Sequence, residues 1–581
     1  GFAQNTSAIG AKVSVTTKAL KQFQEQYPTR GFQSSVSHDL LFGTGAANTI
    51  DEVSVVWPDE KISVLKNIQA DSVIEILYQQ DLPMARNESP AEETIFREET
   101  QSPFQFKHQD NPFIDYKSQY LLPYQLSSTG PCMAKGDVNG DGFDDLYIGA
   151  SLGSTGVLYQ STNKNQYTTW TNETGYEDTG ALFFDADGDS DLDLYVVSGG
   201  TELGNENTKW LQDRLYLNDG KGNFTRSEGL PNEKSNGSMV IAADYDQDGD
   251  QDLFVGGRTL PQYFPLPAYS YLLRNDSKTG KIKFTNTTPE FLERSTIVTA
   301  GAWSDYNNDG WKDLIIGGEF APIMLIENRK GKLVYDSTHN IPQSHGLWSE
   351  IVTSDIDQDG DEDIIAGNAG LNTQFKASPQ QPLTIHFQDF NEDGKLDPIL
   401  SYFIQGQSHV YASRDEMLEQ LPSLKKKFVS YASYANAGIN DILDDTQRKR
   451  AKKLKVETLS STIFVNDGKG KFEPHPLPIE AQFSKTNGVV IEDFNKDGKR
   501  DILLSGNFFP YRVQLGRNDA STGLLLIQQS ATHYKPVMCH ESGFYADGDV
   551  RAMTSVHTAF GDYILCGVNN EKLKVFKVIP K

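Results

Sequence analysis

A nine-residue acidic pattern, Asp-x-Asp/Asn-x-Asp-Gly-x-x-Asp running into an apolar stretch, occurs seven times in this chain and constrains its fold more than any other feature. Repeats of this kind are read before local propensity, because each unit must stack on a neighbour to bury its apolar face. The oxygen-bearing positions 1, 3, 5 and 9 are Asp137, Asn139, Asp141 and Asp145 in the first copy, and Asp185, Asp187, Asp189 and Asp193 in the second. Next come Asp244, Asp246, Asp248 and Asp252, then Asp305, Asn307, Asp309 and Asp313, then Asp355, Asp357, Asp359 and Asp363. The last two are Asp389, Asn391, Asp393 and Asp397, and Asp493, Asn495, Asp497 and Asp501. Clusters of Asp, Asn and Gly are also good turn formers, and one copy would say little more than that. Seven copies in one register say more, since turns do not need three or four packed carboxylates whose mutual repulsion opposes folding.

Hard cations such as Ca2+ take six to eight oxygen ligands in flexible geometry, and side chains at positions 1, 3, 5 and 9 of a tight loop converge on one point. Gly at position 6 supplies the bend; only the second copy departs, with Ser190 there. Position 7 varies freely (Phe143, Asp191, Asp250, Trp311, Asp361, Lys395, Lys499), as expected if it contributes only its backbone carbonyl. The EF-hand alternative fails at position 12, where a bidentate Glu is required and strand residues such as Leu146-Tyr147-Ile148 begin at position 10 instead. The expectation is about seven structural Ca2+ ions on loops between β-strands. The loops hold 24 ligand aspartates, and seven divalent ions would bring the formal charge of −26 to −12. The acidity is therefore largely internal rather than a partner-binding surface.

Each loop leads into an apolar, β-rich run such as DLYIG, DLFVGG or DLIIGG, and a second hairpin with Asn/Asp/Gly turns recurs, as in RLYLNDGKGNF and STIFVNDGKGKF. Most repeats start 48–61 residues apart, the length of a four-stranded antiparallel blade. The reading is an all-β, calcium-binding β-propeller over residues 104–579 with seven blades, eight being the alternative. The tail YILCGVNNEKLKVFKV reads as a last unit without a metal loop.

Composition removes other classes. No run approaches the roughly 18 apolar residues of a membrane helix, and 79 Asp+Glu against 53 Lys+Arg argues against general nucleic-acid binding. Cys132, Cys539 and Cys566 suffice for neither a disulfide framework nor a zinc site. The chain opens at Gly1 without Met or an apolar signal stretch, the expectation for a processed chain or a fragment.

The repeat region resembles the FG-GAP/VCBS family, found in integrin α-chains and many secreted bacterial proteins, which implies a calcium-bearing propeller with the seven loops as its metal sites. Residues 1–81 lack such loops and combine NTSAIGAKVSV, GFQSSVSHDLLFGTG and DEVSVVWPDEKISVLKNI, including Gly10, Phe42-Gly43-x-Gly45 and Val55-x-Trp57-Pro58. This segment resembles the ASPIC/UnbV domain, with strands expected at AKVSV, DEVSVVW and SVIEILY. It accompanies FG-GAP propellers in cartilage acidic protein 1-like proteins. The order in longer bacterial relatives implies that the chain is the C-terminal part of something larger. Residues 82–103, rich in Glu and Pro, read as a linker.

Residues 402–460 read as a helical insertion, with Leu418, Leu421 and Leu424 on one side and helical spacing continuing through NDILDDTQRKRAKKLKV. Its basic runs, Lys425–Lys427 and Arg448–Lys455, are either a solvated face or a docking element for an acidic partner. No HExxH, P-loop or dinucleotide motif occurs, and His533, Cys539 and His540 are a lone neighbourhood. The expected function is a non-catalytic extracellular or cell-surface binding and scaffold protein that engages protein or glycan through propeller loops or the insertion. By resemblance to Bacteroidetes surface proteins, an outer-membrane lipoprotein or accessory subunit of a nutrient-uptake transporter complex is implied. The alternative is a carbohydrate-active enzyme of the polysaccharide lyase kind on a calcium propeller.

Overall fold

The apolar runs that follow the acidic loops are buried on both faces: every residue of Asp145–Ile148, Asp193–Ser198, Asp252–Gly257 and Asp501–Gly506 is inaccessible to solvent. That burial explains why these segments are continuously apolar rather than alternating. The computed structural model describes residues 5–29, 31–85, 94–162, 166–202, 204–278 and 280–579. The chain divides into two compact units, Gly1–Glu93 and Thr94–Lys581.

The first unit is a four-stranded antiparallel sheet in the order Lys21–Glu25, Lys12–Thr16, Thr49–Val56, Ile62–Gln69. Trp57 and Val55 anchor one apolar cluster, and Val15, Ile50 and Val53 a second. The Trp57 indole N–H donates to Ser63 Oγ at 2.8 Å, so its one polar atom is satisfied on burial. The expected strand SVIEILY is not one. Residues 62–69 take the edge instead, because the short turn after Trp57 lets them fold straight back with Val56 opposite Ile62; Ile76 still packs on the core.

In the second unit seven inner strands touch in cyclic order: Met133–Gly136, Asp178–Phe184, Gly237–Ala243, Ile297–Ser304, Glu350–Ser354, Thr486–Glu492 and Val550–Thr558, the last against the first. Each begins a four-stranded antiparallel sheet, to which the fourth adds a short extra strand, Gly346–Leu347. This is a seven-bladed propeller, its blades numbered 1 to 7 here in that order. Its core is a set of seams between neighbouring blades, such as Phe254, Leu314 and Ile316 between blades 3 and 4 and Leu146, Val556 and Leu565 between blades 1 and 7.

Blade 7 is completed from the other end of the unit. Phe96–Glu98 pairs with Lys574–Val578, placing Phe96 opposite Val578. The linker expected at 82–103 therefore contains a strand; residues 86–93 of it lie outside the described residues. Phe96 is fully buried, 5.2 Å from Phe494 and 5.4 Å from Phe544 between ring centres. Gly543 makes room for it: with φ at +81°, a Cβ there would lie 2.0 Å from the Phe96 carbonyl oxygen.

The insertion is larger than 402–460 and is not only helical. The second strand of blade 5, Asp363–Gly367, pairs directly with Thr462–Asn466, so the chain between them is an excursion. It holds a sheet of its own in the order Gln407–Val410, Asp397–Ile404, Leu383–Gln388, Lys452–Val456. The sixth acidic loop belongs to this sheet, not to a blade. Leu418 and Leu421 are buried with Met417, Phe428 and Tyr434, and Leu424 packs against them. The helical pattern stops at Arg450; Lys452–Val456, alternating in period two, is a strand against Leu383–Gln388. The excursion seats on the propeller through Leu383, Ile385, Leu400 and Tyr402, which cluster with Tyr124, Phe264, Phe320 and Phe508.

Candidate metal centres

All seven acidic loops fold alike. The position 1 carboxylate accepts backbone N–H groups from its own loop: Asp137 Oδ1 takes Gly140 (2.8 Å) and Asp141 (3.1 Å), and Oδ2 takes Gly142 (2.8 Å). The position 5 carboxylate accepts the N–H of position 7, from 2.9 Å at Asp309 and Asp393 to 3.4 Å at Asp248. Where position 3 is Asn, its side-chain oxygen accepts the N–H of position 5, as at Asn139, Asn307, Asn391 and Asn495. Positions 4 and 6 are left-handed in every loop, and Ser190 adopts φ of +76° where the other copies place Gly. The departure from Gly leaves the geometry intact.

Position 9 is the buried anchor. Asp145, Asp193, Asp252, Asp313, Asp363, Asp397 and Asp501 are each at most 1% exposed. In six loops one oxygen accepts the N–H of position 2, as from Val138 to Asp145 (2.9 Å) and from Ile356 to Asp363 (3.0 Å). In the six blade loops the other oxygen accepts an N–H from the third strand of the blade, from Ser161, Asn218, Asn275, Asn328, Asn466 and Gln528 in turn. In the inserted sheet Gln420 supplies that contact to Asp397 through its side chain.

Five of those third-strand residues do something the sequence reading missed. The side-chain amide of Asn218 donates to Val138 O, Asn275 to Ala186 O, Asn328 to Tyr245 O, Asn466 to Tyr306 O and Gln528 to Ile356 O. Each acceptor is position 2 of the loop in the preceding blade, so every clamp ties one loop to the next. Blade 1 follows the blade without an acidic loop, and Ser161 stands there instead of an amide. The signal in the sequence is the Asn that opens the second-hairpin turn, as in RLYLNDGKGNF and STIFVNDGKGKF, a residue that turn formation alone explains.

Without a cation these groups are uncomfortable. Burial pushes the carboxyls of Asp145, Asp193 and Asp313 up to about 7 and that of Asp252 to about 8. Three loops bring ligand oxygens of three carboxylates within 4.8 Å of one another: Asp185, Asp187, Asp193; Asp244, Asp246, Asp248; and Asp355, Asp357, Asp359. In these same loops position 7 is also Asp, and burial beside its neighbours pushes Asp191 to about 6, Asp250 to about 7 and Asp361 to about 6. Oδ1 of Asp187, Asp191, Asp246, Asp250, Asp357 and Asp361 is buried with no hydrogen-bond partner. In these three loops position 7 places a carboxyl beside the cluster as well as its backbone carbonyl. At Phe143, Trp311, Lys395 and Lys499 the side chain offers no anion. Convergent, unpartnered carboxylate oxygens are the donor set of a hard divalent cation.

Outside the loops, Ser151, His108 and Asp110 meet: Ser151 Oγ lies 2.9 Å from His108 Nε2 and donates to Asp110 Oδ1 at 2.7 Å. The Asn570 N–H donates to His108 Nδ1 at 3.2 Å. The ring proton is then on Nε2 facing Ser151, the reverse of what a general base requires. Burial holds His108 near 4. His533, Cys539 and His540 are not drawn into one site: Cys539 Sγ receives the Thr522 hydroxyl, and exposed His540 lies beside Glu541. All three cysteines are free.

Comparison with known families matches residues 1–83 to "ASPIC and UnbV", residues 185–255 and 305–366 to "FG-GAP-like repeat", and residues 133–167 to "FG-GAP repeat". No curated protein matches the chain. Among solved structures, the chain is similar to a Dos1 propeller (10% identity, 80% of this chain and 96% of that one, TM-score 0.35). It is also similar to Saccharomyces cerevisiae Sqt1 (10%, 80% and 100%, 0.37) and to YCF48 bound to D1 peptide (8%, 79% and 98%, 0.35).

Proposed function

The chain joins an N-terminal ASPIC/UnbV domain to FG-GAP repeats that build a β-propeller, and from that premise we propose a non-catalytic binding and scaffold protein whose propeller is locked by Ca2+. The carrying observation is the set of buried carboxylate oxygens left without partners at positions 3 and 7 of three loops, in an interior where such groups are normally satisfied. A divalent ion on each loop would neutralise the cluster, and through the Asn and Gln clamps would fix each blade to its neighbour. The role is rigidity, not signalling. Loops lacking the last EF-hand ligand suit the roughly millimolar calcium outside cells, which supports an extracellular or cell-surface location. With the family resemblance, it supports an accessory role in an outer-membrane uptake complex, engaging protein or glycan. Among the described residues no helix is long and apolar enough to cross a membrane.

The test is thermal unfolding with and without excess EGTA, with bound calcium counted by elemental analysis. A large fall in melting temperature and close to seven ions per chain are expected. No bound metal and no shift would return the loops to plain turns. The lyase alternative is tested by ultraviolet absorbance of unsaturated products on a panel of uronate-containing polysaccharides, where no product is expected.

A further inference from the structure

The inner strands of all seven blades enclose a cavity of about 310 Å³ along the propeller axis, at the lower end of the range for small-molecule sites. Three cations reach it: Arg258, which follows the second strand of blade 3, Lys485, which precedes the inner strand of blade 6, and Arg551, near the start of the inner strand of blade 7. All three lie at the end of the ring where inner strands begin. The six blade acidic loops lie where those strands finish, roughly 20 Å away at about 3.3 Å per residue. This is a separate place in the molecule, and its reading does not depend on calcium occupancy.

The charges there do not balance. Arg258 faces Glu319 at 3.5 Å, and that carboxylate also accepts the Tyr124 hydroxyl at 2.8 Å. Arg551 pairs with Asp549 at 2.8 Å through a single contact, leaving its Nε and the Asp549 Oδ1 both buried with no hydrogen-bond partner. The Lys485 ammonium has no hydrogen-bond or ion-pair partner among the described residues. It lies 4.5 Å from the ring centre of Phe508, and the Arg551 guanidinium lies 5.0 Å from the same ring. Glu319 and Asp549 answer two of the three cations; Glu350, a further carboxyl of the cavity lining, forms no ion pair with them among the described residues, so Lys485 is left without a counter-charge beside a cavity large enough for a small molecule. An unpaired ammonium out of bulk water is costly, and burial pulls that of Lys485 down to about 8. Water alone would solvate it, but one negative charge would neutralise it and give the orphaned Arg551 N–H an acceptor in the charge-assisted geometry that favours carboxylates.

We propose that the central channel is a binding site for a small monoanion of the carboxylate class, its carboxylate held by Lys485 and Arg551 with Arg258 at the edge. A free aliphatic acid and the carboxylate of an acidic sugar share this chemistry, and the experiment separates them. The full chain in calcium-containing buffer is titrated by calorimetry with acetate, pyruvate and D-galacturonate, with D-galactose and sodium chloride as controls. One-to-one binding is expected for at least one carboxylate, with galactose silent. Galacturonate alone would make the ligand an acidic sugar; acetate or pyruvate binding equally well would make it a free acid. Lys485→Met should weaken binding at least tenfold while melting no lower than wild type without ligand, since it removes an unpaired, half-buried charge; Lys485→Arg should stay within about threefold. Heat with none of the carboxylates, a response to chloride only, or unchanged affinity in Lys485→Met would overturn the proposal.

Discussion

The side-chain amide of Asn328 donates to the backbone carbonyl of Tyr245 across 2.7 Å, joining the third strand of blade 4 to the acidic loop of blade 3. The same nitrogen reaches Lys312 O at 2.9 Å, and the Asn328 backbone N–H caps Asp313. One fully buried residue thus holds two consecutive loops.

Replacing Asn328 with Ala leaves the buried Tyr245 carbonyl and the part-buried Lys312 carbonyl without their donor while the backbone contact to Asp313 persists. A loss of about 1–3 kcal/mol in unfolding free energy is expected. Urea denaturation measures it. A midpoint unchanged from wild type would mean the clamp is bystander packing.

The loops should not hold calcium equally. Those beginning at Asp185, Asp244 and Asp355 carry Asp at both position 3 and position 7, whereas the other four have Asn at position 3 and no acid at position 7. Affinity rises with ligand charge, so chelator competition should resolve three tight ions and four weaker ones. Asp389→Ala, on the inserted sheet, should cost one weak ion and little melting temperature. Asp244→Ala, inside the ring, should cost one tight ion and several degrees. Equal loss of stability in both variants would mean that the insertion and the ring melt as one body.

Much of this fold was legible because its grammar is local. An acidic loop followed by a doubly buried strand announces itself, and Asp252 or Asp313 could be placed from spacing alone. What was not legible depended on partners distant in sequence. The loop at Asp389 obeys the same rules as the others, so nothing local says that it stands on an inserted sheet. Phe96 closes blade 7 against Val578 from the far end of the chain, and a three-residue strand in a Glu-rich stretch carries little periodicity. Asn218 and its equivalents looked like turn residues because their backbones do make turns; only the neighbouring blade shows what their amides bind.

Ser190 is the one residue at position 6 that is not Gly. At φ of +76° a side chain costs about 1–2 kcal/mol relative to the right-handed region, while Gly there would lose more freedom on folding. The balance favours Ser190→Gly by about 0.5–1 kcal/mol. The gain should appear in denaturant midpoint with the same number of bound ions, since the Ser190 N–H to Asp185 Oδ2 bond (3.0 Å) is backbone and survives. A destabilised variant would show that the hydroxyl has a compensating role.

Glu350, the first residue of the inner strand of blade 5, lines the axial cavity, and burial alone raises its carboxyl to about 8. In the unfolded chain it titrates near 4.3. Between those values the folded state holds a proton that the unfolded state has released, so stability from this group is complete below pH 4 and declines as pH rises toward 8. Glu350→Gln keeps the neutral form at every pH. Its melting temperature should match wild type at pH 4.5 and exceed it by a margin that grows up to pH 8. Thermal scans in calcium-containing buffers across that range check the sign, because a margin that shrank with pH would require Glu350 to be ionised and paired in the folded channel.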